Sequence, residues 1–248
     1  MNTEKTVLVS GGSRGIGRAI VMEMLEKGFD VAFTYCKQTE KADELVREAK
    51  SQGRRAFAFE MDIKNQQSIK PTLDAIYDKL GHIDVLVNNV GITCDKSLVL
   101  MQDKEWDDVI KVNLYGTFYL TRYCILHMLK KKAGRIVNIS SVSGITGIKG
   151  QVNYSSSKAA LIGFTRSLAK EVAAYGISVN CVAPAGVSTE MISKMKDSDV
   201  DALINMSPMK RLCTPHEVAQ LVSYLADSSH CPPFLTGTVI PLDGGMGL

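Results

Sequence analysis

Residues 6–17 read TVLVSGGSRGIG, a β-branched apolar run that passes without a break into a cluster of glycines. The run TVLVS suits a buried strand. The glycines behind it let the backbone turn tightly and approach a pyrophosphate, whose charge is favoured by the free N–H groups at a helix start. Gly11, Gly15 and Gly17 open that helix, with Ser13, Arg14 and Ile16 between them. The spacing is Gly-x-x-x-Gly-x-Gly rather than the Gly-x-Gly-x-x-Gly of the general dinucleotide fingerprint. An ordinary glycine turn is the competing reading; the strand before and the amphipathic helix after favour the nucleotide loop.

Outward from this stretch, short apolar runs alternate with longer helical patterns, the rhythm of βαβ units and a parallel sheet. Further strands are expected at 30–35, 55–60, 83–88, 134–140, 177–183 and 238–242. Their nearly continuous apolar character suits strands covered by helices on both faces. The segments GIGRAIVMEMLEKG, TEKADELVREAKSQG and SIKPTLDAIYDKLG each close on a glycine, a common helix stop. TPHEVAQLVSYLAD at 214–227 opens on a capping box, with Thr214 as N-cap, Pro215 first in the helix and Glu217 reaching back. The fold class is therefore α/β: one domain over residues 1–248, a Rossmann-type doubly wound parallel sheet of about seven strands. Residues 188–212 break the rhythm and carry four methionines. An insertion after a strand's carboxyl end suits a substrate lid in such a fold, with plain core as the alternative.

A net charge of +3 with 22% charged residues is mild, and the basic run Lys130–Lys132 suits a helix end, so nucleic acid is a poor candidate partner. Six cysteines without paired spacing argue for reduced thiols in a cytoplasmic protein, and no Cys/His cluster suggests a metal site. The N-terminus has no cleavable apolar leader, and no stretch approaches membrane-span length.

Four further motifs follow the glycine loop in order. NNVG (residues 88–91) closes the fourth strand, Asn113 lies in the next helix, NISSVSG follows the fifth strand, and NYSSSK occupies 153–158. Tyr154 and Lys158 share a helix face, and Ser141 lies 13 residues before Tyr154. A lone Tyr-x-x-x-Lys is weak, and a solvated helix face would explain it. A phenol needs a neighbouring cation to move its pKa from about 10 toward neutrality, and Lys158 is placed to supply it.

Taken together, these motifs and intervals resemble the short-chain dehydrogenase/reductase family nearly from end to end. NNVGIT, EWDDVIKVNL, AALIGFTRSLAKEVAAYGISVN and the terminal LDGGM are similar to the group of 3-oxoacyl-[acyl-carrier-protein] reductases within it. The resemblance implies NADPH-dependent reduction of a β-ketoacyl thioester on acyl carrier protein, usually by a homotetramer. It implies Tyr154 as proton donor, Lys158 on the nicotinamide ribose, Ser141 on the substrate carbonyl and Asn113 holding a water that refills the proton. Asp62 is implied to meet the adenine with Ile63 alongside, Asn89 and Gly91 to line the cofactor, and Val187 and Thr189 to hold the carboxamide end. The region TYCKQTE (34–40) offers no acid for a ribose 2′-hydroxyl. Arg14 and Lys37 could pair with a 2′-phosphate, which favours NADPH, although either could be a solvated surface charge.

The departures from the family wording are Val90 for alanine, Ala185-Gly186 for glycine and an apolar residue, and Tyr175 for a basic docking residue whose counterpart Lys132 is kept. They lean toward the alternative of a ketoreductase for a polyketide or other specialised pathway. A non-catalytic nucleotide-binding subunit is the other class, and the intact set Asn113, Ser141, Tyr154 and Lys158 speaks against it.

Overall fold

The strands and helices of the computed structural model alternate as the apolar pattern predicts; residues 5–190, 192–194 and 196–247 are described. In chain order they are β1 (Thr6–Val9), α1 (Gly15–Glu26), β2 (Asp30–Tyr35), α2 (Thr39–Ser51), β3 (Ala56–Glu60), α3 (Gln66–Leu80) and β4 (Val85–Asn88). Then come α4 (Asp103–Ile110), a π-turn (Lys111–Tyr115), α5 (Gly116–Lys131), β5 (Gly134–Ile139), α6 (Ser143–Thr146) and α7 (Val152–Val172). β6 (Ile177–Pro184), α8 (Asp197–Met206), α9 (Pro215–Ala226) and β7 (Val239–Leu242) complete the order.

The seven strands form one parallel sheet in the order β3-β2-β1-β4-β5-β6-β7. Alternate strand side chains feed two cores. Val7, Val9, Val31 and Phe33 pack under α1, α2 and α9, while Leu8, Ala32 and Leu86 pack under α3, α5 and α7. Each fully buried Val, Leu or Phe among them contributes about 1.5–3 kcal/mol. Strand order reverses between β1 and β4, which opens a crevice at the carboxyl ends of those strands, where open α/β sheets bind ligands.

The local stops behave as their residue types require. Gly28, Gly53 and Gly81, which follow α1, α2 and α3, have φ of 82°, 68° and 78°, the region where a side chain would be strained. Thr214 and Glu217 form the expected box, with Glu217 N donating to Thr214 Oγ1 at 3.2 Å and Thr214 N to Glu217 Oε2 at 2.8 Å. α5 ends at Lys131 as the lysine run suggests, with Lys132 left-handed at φ 53°. α3 begins at Gln66, two residues before its apolar pattern does, because Asn65 caps it by accepting from Gln67 N.

The excursion at 188–212 starts and ends at one point. Ser188 N donates to Cys213 O (2.8 Å) and Cys213 N donates to Gly186 O (2.9 Å). Between them lie a short 3-10 turn (Ile192–Lys194) and α8; Met191 and Met195, two of the segment's four methionines, fall outside the described residues. Among the described residues, no helix is long and apolar enough to cross a membrane.

Candidate active site

The β1–α1 loop is built around the absence of side chains. A Cβ on Gly17 would lie 2.0 Å from Gly11 O, and one on Gly12 would lie 2.5 Å from Phe33 Cβ. Gly11 and Gly15 have φ of 68° and 52°. The loop is laced to β2, with Gly11 N donating to Thr34 Oγ1 (3.2 Å) and Gly12 N to Thr34 O (2.9 Å). Asn89, just past β4, closes it from the other side through Nδ2 to Ser10 O (3.0 Å) and Gly11 O (3.1 Å). Arg14 stands at the N-cap of α1 without a side-chain cap bond, and the first turn carries no acid. The amide groups there are therefore open to an anion. This cradle fits a dinucleotide's phosphates.

Val90 fits beside the loop: its Cγ2 stands 2.8 Å from where a Gly11 Cβ would be, and its N–H donates to Ser10 Oγ (3.2 Å). The extra methyls press on a position that only glycine can fill. Asp62 is exposed and accepts from Lys64 N (3.0 Å). Ile63, expected beside it at the adenine, turns its side chain into the core, where a Cβ on Gly116 would lie 2.5 Å from Ile63 Cγ1. Beyond β6, Ala185 N donates to Leu242 O (3.1 Å), so the Ala185-Gly186 departure continues the sheet toward β7. Val187 is buried, and Thr189 Cγ2 lies 3.6 Å from the Cβ position of Gly15. Lys37 is exposed just past β2.

The tyrosine, lysine, serine and asparagine come together on the other side of the switch point. Lys158 is 3% exposed and donates from Nζ to Ile139 O at 2.8 Å. Ser140 is the structural neighbour, its Oγ donating to Lys158 O (2.8 Å). Ser141 Oγ accepts from Ser143 N (3.2 Å) and Ser143 Oγ (3.0 Å), so both acceptor sites are filled and its own proton remains to be donated. A Cβ on Gly144 would lie 2.6 Å from Lys158 C, so α6 rests directly on the α7 backbone and holds Ser141 at the level of Tyr154 and Lys158.

Asn113 lies in the π-turn rather than in regular helix; such turns concentrate at functional sites. Its Oδ1 accepts from Ile92 N (2.8 Å), and its Nδ2 donates to Ile92 O (3.0 Å) and Ser157 Oγ (2.9 Å). A Cβ on Gly91 would lie 3.2 Å from Lys158 Nζ and 3.5 Å from Asn113 Oδ1, which makes Gly91 the point where the two meet.

Two residues of NYSSSK that read as helix-start material do more than that. Asn153 is fully buried, donating to Cys94 O (3.0 Å) and Glu105 O (3.3 Å) while accepting from Tyr154 N (2.7 Å). Ser157 links Asn113 to Tyr154 by donating to Tyr154 O (2.7 Å). Both lie on the buried stripe Asn153, Ser157, Leu161, Thr165. The four-residue period of that stripe is visible in sequence, and polar residues on it are the signal that would have exposed them.

The charges differ from the sequence expectation. Burial pushes the Tyr154 phenol up to about 12; the Ser141 hydroxyl draws it back and the Asp95 carboxylate raises it further. The Lys158 ammonium, 5.6 Å from the ring centroid, is held instead by Ile139 O. Its own burial lowers it to about 8, with the Cys181 thiol acting the other way. At neutral pH the pair is thus a protonated phenol beside a buried ammonium.

That ammonium opposes folding. Between pH 8 and about 10.5 the unfolded chain still carries the proton that folded Lys158 has released, so stability rises with pH across this window. Wild type should therefore gain on the order of 2–3 kcal/mol relative to Lys158→Met from pH 7.5 to pH 10 in urea unfolding. A constant difference between the two proteins would show that Lys158 titrates normally.

The profile described as short chain dehydrogenase matches residues 5–200. The chain belongs to the short-chain dehydrogenase/reductase family, whose members use a nicotinamide cofactor. It is 43% identical over 243 residues to the 3-oxoacyl-[acyl-carrier-protein] reductase FabG of Aquifex aeolicus, covering 98% of this chain and 97% of that one. The protein of the same name from Staphylococcus aureus is 38% identical over 246 residues, 99% of each chain. The 3-oxoacyl-[acyl-carrier-protein] reductase of Synechocystis is 38% identical over 244 residues, 98% of this chain and 97% of that one.

Proposed function

We propose that this protein reduces the ketone of a β-ketoacyl thioester, borne on acyl carrier protein, to the 3-hydroxyacyl product with NADPH. The observation that carries the reading is the meeting of Ser141, Tyr154, Lys158 and Asn113 beside the glycine cradle in a chain similar over its full length to such reductases.

The cofactor's phosphates would rest on Gly11, Ser13, Gly15, Ile16 and Gly17, with Arg14 and Lys37 toward the adenosine ribose and Asp62 toward the adenine. Asn89, Gly91, Val187 and Thr189 would line its nicotinamide end. When bound, the cofactor supplies the hydride. Tyr154 keeps its proton at neutral pH and delivers it from the phenol oxygen to the carbonyl oxygen, a contribution of roughly 10² to 10⁴ in rate. Ser141, whose hydroxyl bonds the Tyr154 phenol in this structure, donates its proton to the same oxygen, whose negative charge grows in the transition state. Lys158 has two N–H groups left beyond the bond to Ile139 O, enough to hold the ribose and to favour the phenolate once the proton has left. Asn113 stands next in line to Lys158 through the gap at Gly91, which suits reproviding the proton through water.

Exposed Trp106, Tyr115, Phe118 and Leu126 on and beside α4 and α5 support assembly of several copies, with a homotetramer as the expected form. Exposed Lys132, whose carbonyl lies against Gly176 at the amino ends of β5 and β6, is a basic surface position suited to an acidic carrier protein.

Purified protein mixed with NADPH and β-ketoacyl-acyl carrier protein should oxidise the cofactor and form the 3-hydroxyacyl thioester. Absence of turnover with carrier-bound substrates, alongside turnover of free ketones, would overturn the substrate assignment.

A further inference from the structure

The chain leaving β6 comes back over the glycine loop. Thr189 packs against Gly15, and the next residue, Glu190, reaches two cations from two other elements. One carboxylate oxygen lies 3.9 Å from Nη1 of Arg14, the N-cap of α1. The other forms an ion pair with Nζ of Lys41 in the first turn of α2, 149 positions away in sequence. Lys41 was not among the residues singled out from the sequence, because nothing in TEKADEL distinguishes it from a solvated helix charge.

The location matters more than the pairing. β1 and β2 are neighbours in the sheet, so the starts of α1 and α2 face the same end of it. In a doubly wound fold the residues just past β2, here the TYCKQTE region with no acid for a 2′-hydroxyl, face the adenosine ribose at this end. Arg14 and Lys41, together with the amide groups at the α1 start, make the local field positive. Glu190 puts a carboxylate into that field.

We propose that Glu190 helps set cofactor choice: its carboxylate holds Arg14 and Lys41, and a ribose 2′-phosphate must take those cations from it, whereas a 2′-hydroxyl needs neither. Lys41 is thereby a 2′-phosphate ligand, and Glu190 a brake on NADPH affinity carried by the same segment that leads into α8. The inference rests on the dinucleotide reading of the loop given above. The side chains of Arg14, Lys41 and Glu190 are 55%, 39% and 51% exposed, so water and salt screen the pairs and the effect is moderate.

Direct titration of NADPH and NADH into wild type, Glu190→Gln and Lys41→Gln, followed by calorimetry at low salt, tests this without turnover. Glu190→Gln should tighten NADPH by about three- to tenfold and leave NADH within about twofold. Lys41→Gln should weaken NADPH by a similar factor and spare NADH. Raising the salt should shrink both differences. Wild-type binding of NADPH that Glu190→Gln leaves unchanged, weakens, or tightens equally for NADH would overturn the proposal alone. Failure of wild type to bind either dinucleotide would overturn the cofactor reading and this proposal with it.

Discussion

Replacing Tyr154 with phenylalanine is expected to lower turnover by about 10²- to 10⁴-fold while leaving NADPH affinity within a few-fold of wild type. The substitution deletes one oxygen from a partly buried ring and leaves the rest of the wall in place. The position of Tyr154 is secured through its backbone, which Asn153 Oδ1 and Ser157 Oγ both hold, so phenylalanine keeps the same place. Ser141 and Lys158 stay where they are, because Ser143, Gly144 and Ile139 hold them. Stopped-flow turnover paired with equilibrium cofactor titration separates the two effects. Retained activity would place the proton donor elsewhere, and loss of cofactor affinity would mean that the phenol holds the dinucleotide rather than the substrate.

Gly17→Ala is expected to destabilise the protein by on the order of 3 kcal/mol, since the new methyl would stand 2.0 Å from Gly11 O and 2.7 Å from Asn89 Nδ2. Neither neighbour can retreat cheaply. Gly11 N is bonded to Thr34 Oγ1, and Asn89 Nδ2 is bonded to both Ser10 O and Gly11 O. Thermal unfolding should fall by roughly 6–12 °C, and the loop forced apart should bind NADPH weakly. An unchanged melting temperature with intact cofactor binding would show that the helix does not approach the loop this closely.

The contrast between Gly17 and Gly15 shows how far the sequence could be read. Both belong to the same motif, yet a Cβ on Gly15 would meet only Thr189 at ordinary contact distance, while one on Gly17 collides with backbone. Spacing identifies the loop, whereas the separate reasons for its glycines, left-handed φ at Gly15 and close packing at Gly17, are tertiary facts. Gly12, which carries no weight in the motif as read, is excluded from having a side chain by Phe33 of β2.

NYSSSK behaves the same way. The expectation for Tyr154 and Lys158 comes from their interval to Ser141 and the ordered motifs before them, read as a resemblance to the family. The work of Asn153 and Ser157 is not legible there, because their partners Cys94, Glu105 and Asn113 lie dozens of residues upstream. Lys158 next to tyrosine suggested a lowered phenol pKa. Burial raised the phenol to about 12 instead and lowered the lysine to about 8, an outcome that depends on depth in the fold.

By itself, the order of apolar runs, helix stops and glycines determined the doubly wound parallel sheet, because that follows from local periodicity, while the expected nucleotide loop and the set Asn113, Ser141, Tyr154 and Lys158 came from motif intervals read through a family resemblance. Only the tertiary structure decided the protonation of Tyr154 and Lys158, the clamp of Asn153 and Ser157, and the meeting of Glu190 with Arg14 and Lys41. The reason is physical: desolvation and ion pairing depend on what stands within a few ångströms, and in this sheet those neighbours come from strands and helices far apart in sequence.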